Sequence, residues 1–139
     1  MAAGGTLRRV YTWKYVDGGR GLELVGTGVV LGSEVIQANG ELIQEKERLR
    51  VVRFAIVLFE ATAKLELTTE EIREIVDQDR LMAEWAPHMA VAIVARQDIQ
   101  YGLARMWEAY VERVGWRTAV HRSRGEAEQW LGQQPELAR

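Results

Sequence analysis

The carboxyl-terminal third of the chain, residues 88–132, alternates between short apolar runs and amphipathic segments that carry helix signals. The run MAVAIVA at 89–95 has the length and the continuous apolar character of a strand covered on both faces. The next segment carries Leu103 and Trp107 at helical spacing, and Gly115 is placed to end that helix. A further strand, WRTAV, and a further short helix follow. Elements that alternate in this way predict a layered α/β domain with parallel strands.

The first two thirds of the chain extend this pattern. Aromatic and β-branched residues at 9–17 and the run at 21–30 flank an Asp-Gly-Gly turn, which predicts an antiparallel hairpin with a bulge near Gly26 and Gly28. The run VVRFAIVLF at 51–59 predicts a central strand. Helices are predicted over 34–47 with Ser33 as cap, over 69–85 with a Thr68–Glu71 capping box, over 99–114 with Asp98 as cap, and over a short segment with a Ser123–Glu126 capping box. The resulting order, ββαβαβαβα, predicts one α/β domain with a mixed, mostly parallel sheet of about five strands and helices packed on it.

Length and composition exclude several classes of protein. A chain of 139 residues fits one domain, which we place at 8–132, with loose ends at 1–7 and 133–139. The net charge of −2 argues against a nucleic-acid binder that depends on bulk positive charge. The chain has no cysteine, and no apolar run approaches the roughly 18 residues that a membrane span needs. We therefore expect a cytoplasmic protein that is not transmembrane.

The residues that usually carry catalysis or bind metals form no recognisable arrangement. His88 and His121 are the only histidines, and neither has a partner at the spacing of a metal site. No Gly-x-Ser-x-Gly sequence, paired carboxylates or nucleophile–base pair is present. We therefore predict a protein that is not an enzyme and that has no metal, cofactor or catalytic residue.

Three arginines follow the predicted parallel strands. Arg96, Arg122 and Arg124 lie at or just beyond the carboxyl ends of these strands, beside the predicted amino termini of two helices. Ligands of open α/β sheets bind at that edge, and helix amino termini offer amide donors to anions. The position suggests a phosphate or carboxylate site, whereas the simpler interpretation is that of ordinary surface arginines.

Large apolar side chains are numerous for so small a domain. Met82, Trp85, Met106 and Trp107 fall on the two longest predicted helices. They could line a lipophilic pocket between the sheet and a mobile helix, because such pockets are mainly apolar and aromatic. The alternative is an ordinary core and a dimer interface, since aromatic residues at helical spacing usually pack. A carrier would need a cavity above roughly 300 Å³.

The order of elements resembles that of SpoIIAA-like domains in the wider STAS group of anti-sigma-factor antagonists. The segments that carry the resemblance are GLARMWEAYVE at 102–112, WRTAVHRS at 116–123 and GEAEQWLG at 125–132. The resemblance covers most of the chain in topology and about its last third in recognisable residues. It implies a bacterial-type binding or regulatory module.

The chain departs from the classical members of that group at one motif. Those members carry an Asp-Ser-Ser/Thr-Gly motif whose serine is phosphorylated, whereas the corresponding loop here, FEATAKLELTTEE at 59–71, has neither serine nor glycine. Thr68 is interpreted as a helix cap rather than a phosphoacceptor. We predict no phosphorylation site and a homodimeric module that acts through protein–protein interaction. The alternative hypothesis is a carrier or sensor of a small apolar, lipid-like molecule.

Overall fold

The computed structural model describes residues 9–135. The predicted loose end at 1–7 lies outside the described residues, as do residues 136–139 of the one predicted at 133–139. The elements are β1 (Tyr11–Val16), β2 (Gly21–Leu31), α1 (Gly32–Ile43), α2 (Lys46–Leu49), β3 (Phe54–Glu66), α3 (Thr69–Ala83), β4 (Ala90–Val94), α4 (Asp98–Val111), β5 (Arg117–His121) and α5 (Arg124–Gly132). Short 3₁₀ turns lie at Asp17–Gly19 and Glu112–Val114.

The five strands form one mixed sheet in the order β1-β2-β3-β4-β5. β1 pairs with β2 in the antiparallel sense, and the other three pairings are parallel. Each parallel pairing is joined by a helical crossover, as the alternation of apolar runs and amphipathic segments requires. The predicted fold class and order of elements are therefore confirmed, with the short helix α2 as an addition.

Helices cover the two faces of the sheet unequally. Alternate residues of β3 and β4, such as Val57 and Ile93, face α1, α3 and α4 in the main hydrophobic core. The intervening residues, such as Leu58 and Val94, pack with Ala127 and Leu131 of α5 in a smaller cluster on the other face. The larger space therefore lies between the sheet and the three-helix layer.

β3 is longer than the sequence indicated. It starts at Phe54 rather than at residue 51, and it continues to Glu66 through most of the segment 59–71 that was interpreted as a loop. The extension pairs with the end of β2, and register shifts near Gly26 and Gly28 place the irregularity in this parallel pairing rather than in the β1–β2 hairpin, where the bulge was predicted and the register is regular. The extra residues on β3 turn Thr62 and Leu65 toward the core, so the simple alternation that marks a strand is hidden in the sequence.

The predicted starts of α1 and α4 were wrong, by two residues and by one residue. α1 starts at Gly32, so Ser33 lies inside its first turn, and the carboxylate of Glu34 accepts the Leu31 backbone N–H at 2.9 Å. A side chain at Gly32 would overlap the carboxylate of Glu71, so that carboxylate would have to move. α1 also ends at Ile43 rather than at residue 47, and a short non-helical segment separates it from α2.

The caps of the later helices follow the sequence more closely. Thr68 Oγ1 accepts the Glu71 backbone N–H at 3.1 Å, and Glu71 Oε1 accepts the Thr68 backbone N–H at 2.9 Å, which confirms the capping box. Ser123 caps α5 as predicted. Asp98, by contrast, is the first residue of α4 and does not cap it. Within residues 9–135, no helix is long and apolar enough to cross a membrane.

Candidate functional site

A cavity of about 100 Å³ lies between the sheet and the helices α1, α3 and α4. Most of the lining side chains are aliphatic or aromatic, and they come from the sheet and from each of the three helices. Its lining includes Leu24, Val57 and Ile93 from the sheet, Leu42 from α1, Ile75 and Met82 from α3, and Ala104 from α4. The cavity thus lies within the main core, with the parallel strands on one side and the helices on the other.

One carboxyl group lies in this apolar surrounding. Asp79, in the third turn of α3, is only 4% exposed and lines the cavity. The indole Nε1 of Trp107 on α4 donates a hydrogen bond to Asp79 Oδ2 at 2.8 Å. The described residues provide no ion-pair partner for this carboxyl. A buried carboxyl that lacks a cationic partner is costly to the folded state, so its presence points to a role beyond packing.

Asp79 was not predicted as a site residue, although its position in the sequence places it on the buried face of α3. The buried stripe of α3 consists of Ile72, Ile75, Val76 and Met82, as predicted. Asp79 follows Val76 by three residues and precedes Met82 by three, so helical spacing puts it on the same stripe. An acidic residue in the middle of an apolar stripe was therefore the sign of the site.

Burial controls the chemistry of this carboxyl. Loss of hydration raises the pKa of Asp79 from 3.8 to about 7, and the hydrogen bond from Trp107 opposes that rise. Close to neutral pH the group is thus divided between a neutral form, which can donate a hydrogen bond, and a carboxylate, which can only accept. Such a group can exchange a proton with a bound molecule or with solvent in the physiological range.

Two other polar side chains share the cavity lining with this carboxyl. Tyr11 of β1 and Asn39 of α1 are both buried and line the same space. Burial, and secondarily the negative charge of Asp79, raise the pKa of Tyr11, so its hydroxyl stays protonated. The ring of Tyr11 stacks on Phe59 with 6.1 Å between the ring centroids. The cavity therefore offers a few polar groups on an apolar wall, which is the usual composition of a small-molecule site.

Three of the lining residues are only half-buried. Leu67 precedes α3, and Leu103 and Trp107 lie one turn apart on α4. The other lining residues are buried. The cavity therefore comes nearest to solvent between the amino-terminal end of α3 and the middle of α4, and Trp107 is both part of that boundary and the donor to Asp79.

The structure brings together only part of the predicted apolar site. Met82 and Trp107 line the cavity. Trp85 and Met106 are not among the lining residues, and the ring of Trp85 instead lies under the ammonium group of Lys46 at 5.2 Å. The volume is below the roughly 300 Å³ expected for a lipid carrier. Because an engineered cavity of about 150 Å³ accepts benzene, this smaller one has space for a molecule of about four or five non-hydrogen atoms.

The three predicted arginines lie at the expected edge of the sheet, and two are engaged with carboxylates. Arg122 donates to Asp98 Oδ1 at 2.8 Å and to the backbone carbonyl of Arg96 at 2.9 Å. Arg124 binds Glu23 Oε1 at 2.9 Å. All of these groups except Glu23 are substantially exposed, so such pairs are weak and an anion could compete for them. The anion site at this edge stays a prediction.

A larger pocket of about 560 Å³ lies at the opposite edge of the sheet. Its lining includes Arg20, Arg50, Arg53 and His88 and contains no acidic residue. Arg53 Nη1 donates to the backbone carbonyls of Arg50 and Val52, and Arg50 pairs with Glu47. These guanidinium groups therefore already have partners within the chain, and the Asp79 cavity is the more distinctive of the two spaces.

Comparison with solved structures establishes the fold. Over 89% of this chain and 99% of the other, it is similar to the anti-sigma factor antagonist SpoIIAA in its unphosphorylated form, with a TM-score of 0.55 and 10% sequence identity. The chain has the SpoIIAA-like fold. The phosphorylated form of SpoIIAA, described as a Bacillus cell fate determinant, gives a TM-score of 0.53 at 12% identity over 87% of this chain and 98% of that one.

A second kind of relative shares the SpoIIAA-like fold. It is an uncharacterised protein of the DUF3478 family from Shewanella loihica PV-4, with a TM-score of 0.55 and 12% identity over 87% of this chain and 91% of that one. No protein-family model matches the chain, and no curated protein matches its sequence. The resemblance inferred from the sequence is confirmed for the fold.

Two threonines near the segment where the serine motif of the classical members is missing have different surroundings in this SpoIIAA-like fold. Thr62 is 3% exposed in the extension of β3, and the side-chain amide of Gln100 donates to its backbone carbonyl at 2.9 Å. Thr68 is exposed, but its hydroxyl oxygen accepts the capping hydrogen bond at α3. The Thr68 hydroxyl therefore has the structural role of a helix cap, whereas the Thr62 hydroxyl is buried and has no hydrogen-bond partner among the described residues.

Proposed function

We propose that the chain is a non-enzymatic, cytoplasmic, bacterial-type regulatory module that acts by binding a protein partner. The observation that carries the proposal is the SpoIIAA-like fold, which the chain shares over nearly its full length with a protein described as an anti-sigma factor antagonist. Exposed apolar side chains support a contact surface. Leu31 ends β2 and Ile99, 75% exposed, lies in the first turn of α4, so both lie at the carboxyl edge of the parallel strands.

Paired charge substitutions test this proposal. We expect an Ile99→Glu, Leu31→Glu variant to lose a partner that the unmodified chain retains in affinity capture, because buried carboxylates oppose an apolar contact. The matched control is Leu81→Glu, a similarly exposed leucine near the carboxyl end of α3 and hence at the opposite edge. Unfolding midpoints should match among the three proteins. Equal retention of every captured partner by both variants would contradict this surface, and capture of the chain itself would identify the predicted homodimer.

A second candidate function is supported by the cavity. In this proposal the domain carries or senses a small apolar molecule that lies between the sheet and α3 and α4. The apolar lining with its few polar groups favours it. The dimensions in this conformation suit a compact molecule rather than an extended lipid chain.

Native mass spectrometry of freshly purified protein tests this second function. We expect a fraction of the protein to carry a small added mass that disappears in an Ala104→Leu variant. Ala104 is buried and lines the cavity, so the added isobutyl group would occupy the same space. Only the unbound mass in both proteins, together with no binding of small apolar probes, would exclude the carrier.

A further inference from the structure

The buried carboxyl sets a requirement on what the cavity can hold. Asp79 Oδ2 accepts the hydrogen bond from Trp107, and the described residues give Oδ1 no hydrogen-bond partner. A carboxyl oxygen in an apolar wall without a donor is costly, whereas a guest that supplies the donor removes that cost. The chain therefore discriminates between guests by chemistry as well as by size.

We propose that the cavity takes a compact apolar molecule that bears one hydrogen-bond donor, such as an N–H or O–H group, directed at Asp79. The proposal rests on the second function above and specifies its ligand class. The apolar lining contacts the body of the guest, and Asp79 is the acceptor that fixes its orientation. Asn39 and Tyr11 lie in the same lining and are further polar groups that the guest can contact.

The location of Asp79 relative to the surface supports the same assignment. Trp107 holds Asp79 by its indole N–H and also lies at the half-buried boundary between α3 and α4. A guest that passes this boundary contacts the one residue that already orients the carboxyl. The indole therefore reports both on the approach of a guest and on the state of the acceptor.

Pyrrole and furan provide a matched pair of probes. Both are small five-membered rings, but only pyrrole has an N–H donor. We expect the unmodified protein to bind pyrrole about ten-fold more tightly than furan at about pH 8, since a hydrogen bond to a charged group is worth about one to two factors of ten in affinity. Binding is followed through the indole N–H resonances of Trp107 and Trp116, which line the cavity. Trp13, Trp85 and Trp130 are not among its lining residues and are internal controls.

Substitution at Asp79 separates this proposal from the function on which it rests. Asp79→Ala retains the cavity and removes the hydrogen-bond acceptor, so pyrrole should bind only as well as furan does. Asp79→Asn, which retains a neutral acceptor, should keep an intermediate preference and is the variant to use if the alanine protein does not fold. Equal affinities of the unmodified protein for the two rings would overturn the donor requirement and leave the cavity function standing. Failure of both rings to perturb Trp107 and Trp116 would overturn the donor requirement, and together with only the unbound mass in native mass spectrometry it would overturn the cavity function as well.

Discussion

An Asp79→Asn variant is expected to be more stable than the unmodified protein by about 4 kcal/mol at pH 8 and nearly equal to it at about pH 4. Burial raises the pKa of Asp79 from 3.8 in the exposed state to about 7 in the folded protein. Each pH unit between these values costs the folded state about 1.4 kcal/mol, because the unfolded chain has released the proton and the folded chain has not. The stability contributed by the neutral carboxyl is thus full below 3.8, falls as the pH rises, and levels off above about 7.

Urea unfolding at intervals between about pH 4 and pH 8 measures this difference. Tyr11 is the other titratable group of the lining, and its raised pKa keeps it neutral throughout this range. The control is Asp77→Asn, an exposed aspartate of the same helix that pairs with Arg80, for which we expect a change below about 0.5 kcal/mol. A difference between Asp79→Asn and the unmodified protein that stayed constant across the range would contradict a buried, uncompensated carboxyl.

A Trp107→Phe variant is expected to lose about 1 to 3 kcal/mol of stability at pH 8 and less at about pH 4. Phenylalanine keeps much of the apolar area but removes the Nε1–H that donates to Asp79 at 2.8 Å. The bond is stronger to a carboxylate than to a neutral carboxyl, so its loss is greater above the pKa of Asp79. Urea unfolding at the two pH values gives the comparison.

A double-mutant cycle assigns that loss to the Trp107–Asp79 contact. In the Asp79→Asn background, Trp107→Phe should cost less at pH 8 than it does alone, because the acceptor is then neutral. Trp130→Phe is the control, since Trp130 is a residue of α5, which packs on the opposite face of the sheet. The same loss at both pH values, in both backgrounds, would show that Trp107 acts by packing alone.

The order of strands and helices could be predicted from the sequence because the signals that mark these elements are local. The strand at 89–95 is continuously apolar, and Thr68 and Ser123 cap their helices through neighbours three residues away, so no distant contact is needed to recognise them. Asp98 shows the limit of such local rules. It has the composition of a cap, but its carboxylate binds Arg122, which lies 24 residues further along the chain.

The site was only half predictable for the same reason. Met82 and Trp107 could be proposed as pocket residues from helical spacing and size. The packing of α3 and α4 on the sheet decides which of these side chains line the cavity. Met82 and Trp107 line it, whereas Trp85 and Met106 do not. Asp79 was missed because acidic residues usually face solvent, although its place on the buried stripe could have identified it. The length of β3 was missed because bulges break the alternation.

The central claim is that an ionisable carboxyl lies in an apolar cavity where a small molecule can meet it. The most direct test is to follow the side-chain carboxyl carbon of Asp79 by carbon-13 NMR as the pH is changed, with Asp79→Asn to assign the resonance. We expect a pKa of about 7 for Asp79. A value near the ordinary 3.8 of an exposed aspartate would contradict it, because the carboxyl would then be hydrated and the cavity would not be the site described here.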